Sequence, residues 1–190
     1  RLFVPVRHKR EGAPVNVIAM VRPSTPRRAP ELTLKVLKTL HERLGDRVNL
    51  RFFGVPPNDP ALARMDTAFP HTNLGELSPE GVADALDDSD IFLDFSTYQA
   101  MGLTALEAMA CGVAVVAPIK GGSGDIVQHE ENGLLVDTAD EQACVEAAMR
   151  LATDHALRQR LQESAVASAP RHTPERAAAR ALDALFLTAP

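Results

Sequence analysis

Short apolar runs that alternate with helical repeats limit the fold of this chain more than any other feature. Residues 15–21, 48–55 and 91–95 are rich in Val, Leu, Ile and Phe, whereas 31–44 and 103–110 carry apolar residues at helical spacing. As a set, the runs lack the in–out alternation of strands with one solvated face, which indicates strands covered on both sides. The pattern therefore predicts an α/β domain in which a mostly parallel sheet lies between two layers of helices.

Turn and cap residues complete the predicted element order. Ser78 is placed to cap a helix that has Pro79 at its first position and runs to about residue 88. The other predicted elements are short strands at 73–77, 113–116 and 133–136, a short helix at 126–130, and helices that begin at Asp140, Asp154 and Thr173. The alternation of strands and helices predicts a Rossmann-like, three-layer fold.

Length, charge and cysteine content exclude several classes of protein. The 190 residues suffice for one well-buried core but are few for two. A formal net charge of −5 argues against a nucleic-acid-binding protein, and no apolar run approaches the roughly 20 residues of a membrane-spanning helix. Cys111 and Cys144 lie far apart and match no metal-ligand spacing. Two such thiols fit a reduced compartment, so we expect a cytoplasmic protein.

The beginning of the chain predicts a connection to a further domain. The sequence starts at Arg1 and not at Met, without an apolar signal segment, so we expect it to be part of a longer protein. Residues 1–13 are expected to be a linker, and residues 14–190 one domain with C-terminal helices. The linker is basic at positions 7–10. Solvation of this cluster is the first expectation, and contact with a partner domain or a membrane surface is the alternative.

Two arginines follow the first predicted strand. Arg22 comes directly after it and Arg27 five residues later, in the segment Arg-Pro-Ser-Thr-Pro-Arg, whose prolines restrict the backbone. In a doubly wound sheet, ligands bind beyond the carboxyl ends of the strands, where the following helix adds N–H donors. The arginines are therefore candidates to hold a diphosphate; the alternative is a pair of solvated side chains.

A second candidate segment follows the strand at 91–95 and begins the next helix. Gly102 would let the backbone approach a ligand closely at the start of that helix. Glu107 lies on a helix otherwise dominated by Leu, Met and Ala, where a carboxylate is costly unless donors reach it. The hydroxyls of a ribose would supply two donors. A solvated or capping carboxylate is the alternative.

A third candidate is the glycine-rich turn that begins with Gly121 and Gly122 and ends at Asp125. A turn of this kind between a strand and a helix can present N–H groups to an anion or a sugar. Glycine-rich turns are also common without a ligand, and Asp125 fits an ordinary helix N-cap.

Other binding motifs are absent or misplaced. No Gly-x-Gly-x-x-Gly segment follows the first strand, and no Gly-Lys-Ser/Thr phosphate loop occurs, which argues against a dinucleotide coenzyme. The segment Asp88-Ser89-Asp90 matches a metal-binding pattern but precedes its strand, so we expect it at the opposite edge of the sheet. The six histidines are scattered, without ligand spacing.

From residue 90 to 136, the motifs resemble those of the family 4 glycosyltransferases, which have the GT-B fold. That family carries two glutamates separated by seven residues, running into Glu-Ala-Met-Ala-Cys-Gly, then Gly-Gly-x-x-Glu and Asn-Gly-Leu-Leu-Val. The counterparts here are Gln99 to Glu107, 108–112, Gly121 to Asp125, and 132–136, with Arg22 and Arg27 at the positions of the family's diphosphate-binding Arg and Lys. The similarity covers most of residues 15–150.

The resemblance implies the C-terminal, donor-binding half of a two-domain, retaining enzyme. Its ligand would be a nucleoside diphosphate sugar; the glycan acceptor would bind a missing N-terminal domain, and transfer would need neither a cofactor nor an obligatory metal. Carried over by position, Arg22 and Arg27 would hold the diphosphate, Glu107 the ribose hydroxyls, and Gln99 would lie beside the donor sugar. Further donor contacts are implied for Gly102, Leu103, Thr104, Gly121, Gly122 and Asp125.

Three positions depart from the family pattern. Gln99 replaces the first glutamate, so it can bond a sugar hydroxyl but cannot stabilise positive charge. Arg27 replaces Lys, which favours bidentate phosphate contact, and Asp125 replaces Glu. The combination of Arg-Pro-Ser-Thr-Pro-Arg with Tyr-Gln-Ala-Met-Gly looks most like bacterial rhamnosyltransferase-like enzymes that build surface polysaccharides. That likeness implies a donor such as dTDP-rhamnose. We separately expect at most peripheral contact with the inner face of the membrane.

Two other functions remain open at this point. One is a non-catalytic nucleotide-sugar-binding or scaffold domain, in which Gln99 marks lost chemistry. The other is a different GT-B-like enzyme, such as a nucleotide-sugar epimerase. Under the leading hypothesis, this chain alone binds the donor but transfers no sugar.

Overall fold

The computed structural model describes residues 3–5 and 14–186. The strands are β1 (Val15–Met20), β2 (Val48–Phe53), β3 (Thr72–Asn73), β4 (Ile91–Leu93), β5 (Ala114–Pro118) and β6 (Leu134–Val136). The α-helices are α1 (Pro30–Leu44), α2 (Pro79–Asp87), α3 (Leu103–Ala110), α4 (Glu141–Thr153), α5 (His155–Ser168) and α6 (Pro174–Phe186).

All six strands form one parallel sheet in the order β3-β2-β1-β4-β5-β6. The predicted Rossmann-like, three-layer α/β fold is thereby confirmed. Because β1 pairs with β2 on one side and with β4 on the other, the strand order changes direction between β1 and β4. In doubly wound sheets, ligands bind at the carboxyl edge beside this switch point, and we refer to this place as the crevice.

The core consists of two apolar clusters, one on each face of the sheet. Val17 and Ala19 of β1 pack with α1 and α4, whereas Ile18, which points to the other face, packs with α2 and α3. Helix α5 contacts both clusters, since its Leu161 belongs to the first cluster and its Ala165 to the second. Burial of each aliphatic side chain contributes about 1.5–3 kcal/mol to the free energy of folding. Because the strands are buried on both faces, the core fixes the positions of the loops that follow them.

Cap residues set the helix starts as the sequence predicted. Ser78 Oγ accepts a hydrogen bond from the N–H of Gly81, and Pro79 is the first residue of α2. Asp140 and Asp154 likewise cap α4 and α5 with their carboxylates. These side chains satisfy N–H groups that have no partner inside the helix.

The prediction of a short helix at 126–130 is wrong. The structure has a 3₁₀ turn at Gly122–Asp125 instead, followed by an irregular loop. The buried side chain of Asn132 organises this loop, because its Oδ1 accepts from the N–H of Gln128 (2.7 Å) and its Nδ2 donates to the carbonyl of Ile126 (3.2 Å). These bonds take the place of helical ones.

The strand predicted at 73–77 is shorter and lies at Thr72–Asn73. Gly75 turns the chain with a φ of +74°, and its N–H donates to Asn73 Oδ1 at 2.9 Å. The side-chain bond competes with a continued strand ladder.

The chain ends are described in part. The basic cluster at 7–10 lies outside the described residues, so the linker prediction is untested. Phe3 packs against the cluster on the α2–α3 face. Within residues 3–5 and 14–186, none of the helices combines the length and apolar content that a membrane crossing requires.

Candidate functional site

The loops that follow β1, β4 and β5 meet at the carboxyl edge of the sheet, beside the crevice. The N–H of Thr97 donates to the carbonyl of Arg27 at 2.8 Å, which joins the first two loops. The N–H of Gln99 donates to Lys120 O (3.2 Å), and the N–H of Gly122 donates to Gln99 O (2.7 Å), which joins the second and third. The predicted site residues Arg27, Gln99 and Gly122 are thus brought together by backbone bonds.

Arg27 carries a buried donor that the protein does not use. Its guanidinium lies over the ring of Tyr98, with 5.7 Å between Cζ and the ring centroid. Its Nη1 is buried and has no hydrogen-bond partner among the described residues. Leaving a buried donor unpaired costs about 1–3 kcal/mol, more when the group is charged. Such a group is suited to a ligand that brings an acceptor.

Arg22 is exposed and passes the end of the neighbouring strand. A Cβ at Gly54, directly after β2, would lie 3.5 Å from Arg22 Cγ. The side chain therefore starts over the carboxyl edge, and its guanidinium group has no hydrogen bond or ion pair among the described residues.

Arg28 is a third arginine of the site, and sequence analysis missed it. Its Nη1 lies 3.7 Å from Asp94 Oδ2. Burial lowers the pKa of the Arg28 guanidinium, the Asp94 carboxylate raises it, and the positive charges of Arg27 and Arg22 lower it further. The three guanidinium groups are therefore close enough to act on one another, which concentrates positive charge at the switch point.

A buried polar network supports Gln99. Ser96 Oγ donates to Asp94 Oδ1 at 2.5 Å. Gln99 Nε2 donates to Asp94 Oδ2 and, at 3.1 Å, to Ser96 Oγ. All three residues are less than 10% exposed. Asp94 and Ser96 were also missed, although a carboxylate in the apolar run at 91–95 was a usable signal because burying it requires donors.

The two glycines after β5 allow direct backbone contact between loops. Gly121 has a φ of +90°, and a Cβ there would lie 2.0 Å from Gln99 O. A Cβ at Gly122 would lie 2.3 Å from Ala100 O. The Gly122 N–H donates to Gln99 O and is therefore not free to contact a ligand. The predicted donor contacts of these glycines stay predictions.

The start of α3 faces the glycine-rich turn. Gly102 has a φ of +67°, and a Cβ there would lie 3.2 Å from Ser123 Oγ. That hydroxyl is buried and has no partner among the residues that the structure covers. Three other residues are predicted to contact the sugar donor. Of these, Leu103 and Asp125 are exposed and Thr104 is half-buried. Their part in ligand binding also stays a prediction.

Glu107 lies in the second turn of α3 and not among the arginines. It lines a largely apolar pocket of about 350 Å³ with Leu106, Ala110, residues 3–5 and the end of α5. Burial raises the pKa of its carboxyl group. Over the described ranges, no group donates a hydrogen bond to this carboxylate. It is therefore a half-buried acceptor with no donor among the described residues, whereas Arg27 Nη1 is a buried donor with no acceptor.

The opposite edge of the sheet holds the Asp-x-Asp segment, as expected. Asp88 Oδ2 lies 2.6 Å from Arg51 Nη1, and Asp90 Oδ2 accepts from the N–H of Asn16 at 2.8 Å. The Asp88 carboxylate is thus paired with a residue of β2, and the Asp90 carboxylate with the beginning of β1. In the described part of the chain, no group of three His, Cys, Asp or Glu side chains could hold a metal ion.

A larger groove of about 650 Å³ beside α1 is a weaker candidate. Its lysines are already paired, Lys35 with Glu141 at 2.7 Å and Lys38 with Asp66 at 2.6 Å. The groove therefore offers less unpaired positive charge than the crevice.

Fold and site together define a class: a Rossmann-like α/β domain of the GT-B type with an arginine-rich crevice at its switch point. Comparison with family models is more specific. Residues 7–167 match the model described as glycosyl transferases group 1, and the chain belongs to this family.

Individual relatives agree with this family. The D-inositol 3-phosphate glycosyltransferase of Rhodococcus erythropolis is 33% identical over 170 residues, which covers 82% of this chain and 37% of that protein. The chain spans 26–37% of the length of the curated relatives that match more than two thirds of it.

Solved structures share the fold at low sequence identity. The C-terminal domain of the glycosyl transferase group 1 protein LpcC from Francisella tularensis superposes with a TM-score of 0.74 at 18% identity, covering 90% of this chain and 95% of that domain. Anabaena HepE, solved in complex with UDP and glucose, has a TM-score of 0.73 at 17% identity, covering 93% of this chain and 49% of that one.

Proposed function

We propose that this chain is the donor-binding domain of a retaining glycosyltransferase that moves a sugar from a nucleoside diphosphate sugar to a glycan acceptor. The observation that carries the proposal is the convergence of Arg22, Arg27 and Arg28 at the switch point, with a buried and unpaired N–H on Arg27. A diphosphate supplies an acceptor for this N–H and negative charge for Arg22 and Arg27, which have no ion-pair partner among the described residues. Membership of the glycosyl transferases group 1 and the UDP bound by HepE support the same ligand class.

Each end of such a ligand has a matching group. Arg22 and Arg27 hold the diphosphate, helped by the amides of Gly102, Leu103 and Thr104 at the start of α3. Glu107 accepts hydrogen bonds from the ribose hydroxyls, which offsets the cost of its burial. Gln99 and the turn containing Gly121, Gly122 and Asp125, which backbone hydrogen bonds join to each other, would contact the donor sugar.

The arginines also contribute to transfer itself. Negative charge builds on the diphosphate as it leaves the sugar, and donors fixed beforehand stabilise that charge without reorganising. Removing one such donor typically costs 10²–10³ in rate. In a retaining reaction of this kind the leaving phosphate assists the incoming hydroxyl, so neither a metal nor a cofactor is required in the proposal.

The finer assignment rests on the loop sequences. The combination of Arg-Pro-Ser-Thr-Pro-Arg with Tyr-Gln-Ala-Met-Gly supports a rhamnosyltransferase-like member of family 4, with dTDP-rhamnose as donor and surface polysaccharide as product. The acceptor would bind a second domain. Helix α6 offers an apolar surface against which that second domain would pack, since Leu182, Leu185 and Phe186 are more than half exposed. The complete protein would act in the cytoplasm, at most peripherally at the inner face of the membrane.

A thermal-shift panel tests the proposal. The chain is melted with UDP, dTDP, GDP and ADP and with UDP-glucose, dTDP-rhamnose and GDP-mannose, because a ligand raises the melting temperature only if it binds the folded state. At least one nucleoside diphosphate should raise it, and mixing with acceptor glycans should yield no transfer by this chain alone. Melting unaffected by every nucleotide would overturn the donor-binding function, and rapid transfer by the chain alone would overturn the need for a second domain.

A non-catalytic nucleotide-sugar-binding domain is the second candidate, favoured by the amide of Gln99 at the position of the family's first glutamate. The two functions make the same prediction for binding. They differ for the longer protein, which transfers sugar under the first function and only binds it under the second.

A further inference from the structure

The network around Gln99 determines which of its atoms a ligand can meet. A carboxylate only accepts hydrogen bonds, so the NH₂ group of Gln99 must face Asp94. Its two N–H groups are then consumed, one by Asp94 Oδ2 and one by Ser96 Oγ. In the described residues nothing donates to Gln99 Oε1, so the oxygen is the part of this amide that remains available.

The fixed negative charge of the site lies on Asp94. This carboxylate is 7% exposed, accepts from Ser96 and Gln99, and has the Arg28 guanidinium at 3.7 Å. These donors offset the cost of burying the carboxylate. A second carboxylate at position 99 would touch the first, and two like charges at hydrogen-bond distance do not both ionise readily. Asp94 and Gln99 are therefore a matched acid–amide pair.

We propose that Asp94 is a positioning residue that sets donor specificity through Gln99. With both of its N–H groups held by Asp94 and Ser96, Gln99 presents only Oε1 to the sugar, so it selects a donor with a hydroxyl group at that point. A glutamate at position 99 would place its negative charge against the sugar. Here that charge lies on Asp94, which contacts the other end of the Gln99 amide. This inference rests on the proposed donor-binding function and names the group that orients the sugar contact.

A charge exchange between the two residues tests the pair. Asp94→Asn, Gln99→Glu and the double variant are compared with the unmodified chain by calorimetry. The probes are UDP, dTDP and GDP, which lack the sugar, and UDP-glucose, dTDP-rhamnose and GDP-mannose, which carry it. Gln99→Glu should weaken the sugar-bearing ligand at least about tenfold while changing affinity for the matching nucleoside diphosphate less than about threefold. The double variant should return to within about threefold of the unmodified chain, because it rebuilds the acid–amide pair with the charge exchanged.

The pH dependence separates positioning from a general loss of structure. In Gln99→Glu the two carboxyl groups, which lie beside the Arg28 guanidinium, with Arg27 over the neighbouring Tyr98 ring, should share one proton. Its binding defect should therefore be largest at pH 8 and shrink toward pH 5, whereas Asp94→Asn and the double variant should show no such recovery. Circular dichroism and melting curves verify that each variant is folded.

Four outcomes decide the inference. Selective loss followed by rescue supports it. A folded double variant that binds the sugar-bearing ligand no better than the weaker single variant, or a Gln99→Glu variant that binds it normally, overturns the positioning role while leaving the donor site intact. Failure of the unmodified chain to bind any of the six probes overturns the proposed function and the inference with it.

Discussion

The N–H of Thr97 donates a 2.8 Å hydrogen bond to the carbonyl oxygen of Arg27, and the Thr97 hydroxyl reaches the same oxygen at 3.3 Å. Seventy residues separate the two partners in the chain. The contact spans the point where the strand order reverses, so the loop that carries the arginines and the loop that carries Gln99 are held in a fixed relation. Such fixed positions are what a site needs if its donors are to stabilise charge without reorganising.

Removing one arginine should weaken nucleotide binding. Arg22→Ala should reduce affinity for a bound nucleoside diphosphate at least tenfold, about 1.4 kcal/mol, because one charge-assisted contact is lost. The effect should shrink at high salt. Calorimetry checks both results. Arg43→Ala is the matched control, since this exposed arginine lies near the end of α1 at the other edge of the sheet. Equal affinities for the Arg22 variant and the unmodified chain would exclude Arg22 from the site.

A methyl group at Gly121 should separate two loops of the site. It would lie 2.0 Å from Gln99 O, at a φ of +90° that other residues rarely adopt. We expect Gly121→Ala to lower the free energy of unfolding by roughly 2 kcal/mol or more and to weaken binding of the sugar-bearing donor. Chemical denaturation gives the first value.

Gly124→Ala is the control for this change, because a Cβ at Gly124 meets nothing within 4 Å and the residue has no left-handed φ. It should change stability by no more than about 0.5–1 kcal/mol. Similar losses in both variants would contradict the loop contact.

Donor binding should depend on pH through Glu107. Burial raises the pKa of this carboxyl group in the unliganded chain, and ribose hydroxyls that donate to the ionised form should lower that pKa on binding. Affinity should therefore rise with pH until Glu107 is fully ionised in the unliganded chain. At lower pH, binding of the donor should release a proton from this carboxyl group. The sugar-bearing donor is the better probe, because the terminal phosphate of a nucleoside diphosphate itself titrates near pH 6.

The stability of the unliganded chain should show the opposite sign. A pKa raised by folding contributes stability that is present at low pH and lost as the pH rises through the folded-state value. Glu107→Gln should remove both dependences. If the affinity of this variant changes with pH as that of the unmodified chain does, Glu107 does not meet the ribose.

A substitution at the opposite edge of the sheet should lower stability without changing the affinity for nucleotides. Arg51 donates to Asp88 Oδ2 at 2.6 Å and to Ser89 Oγ at 2.9 Å, with its side chain only 15% exposed. Arg51→Ala should lower the free energy of unfolding by about 1.5–3 kcal/mol, the range for charge-assisted bonds. Its affinity for nucleotides at a temperature where it is folded should be unchanged. A selective loss of affinity in this variant would place the ligand at the wrong edge.

The sequence predicted most of the fold because the relevant forces are local. Apolar runs predicted the parallel strands, and Ser78, Asp140 and Asp154 predicted the helix starts through bonds that span three residues. The short helix at 126–130 failed because its hydrogen bonds go to the side chain of Asn132, which in turn is held by Ser168 on α5. That competition depends on a contact 36 residues away.

The candidate site was predicted less completely. Arg22, Arg27 and Gln99 follow strand ends, so their edge of the sheet could be deduced from the topology. Arg28 and Asp94 were missed because their pairing joins two loops that are distant in sequence. The buried carboxylate in an apolar run was the one local indication of the second.

A crystal structure of the chain with the nucleoside diphosphate that raises its melting temperature most would test the central claim directly. The account predicts phosphate oxygens within about 3 Å of the Arg22 and Arg27 guanidinium groups, and ribose hydroxyls at the same distance from the Glu107 carboxylate. A nucleotide bound elsewhere, for example in the groove lined by Lys35 and Lys38, with both arginines in solvent, would contradict it.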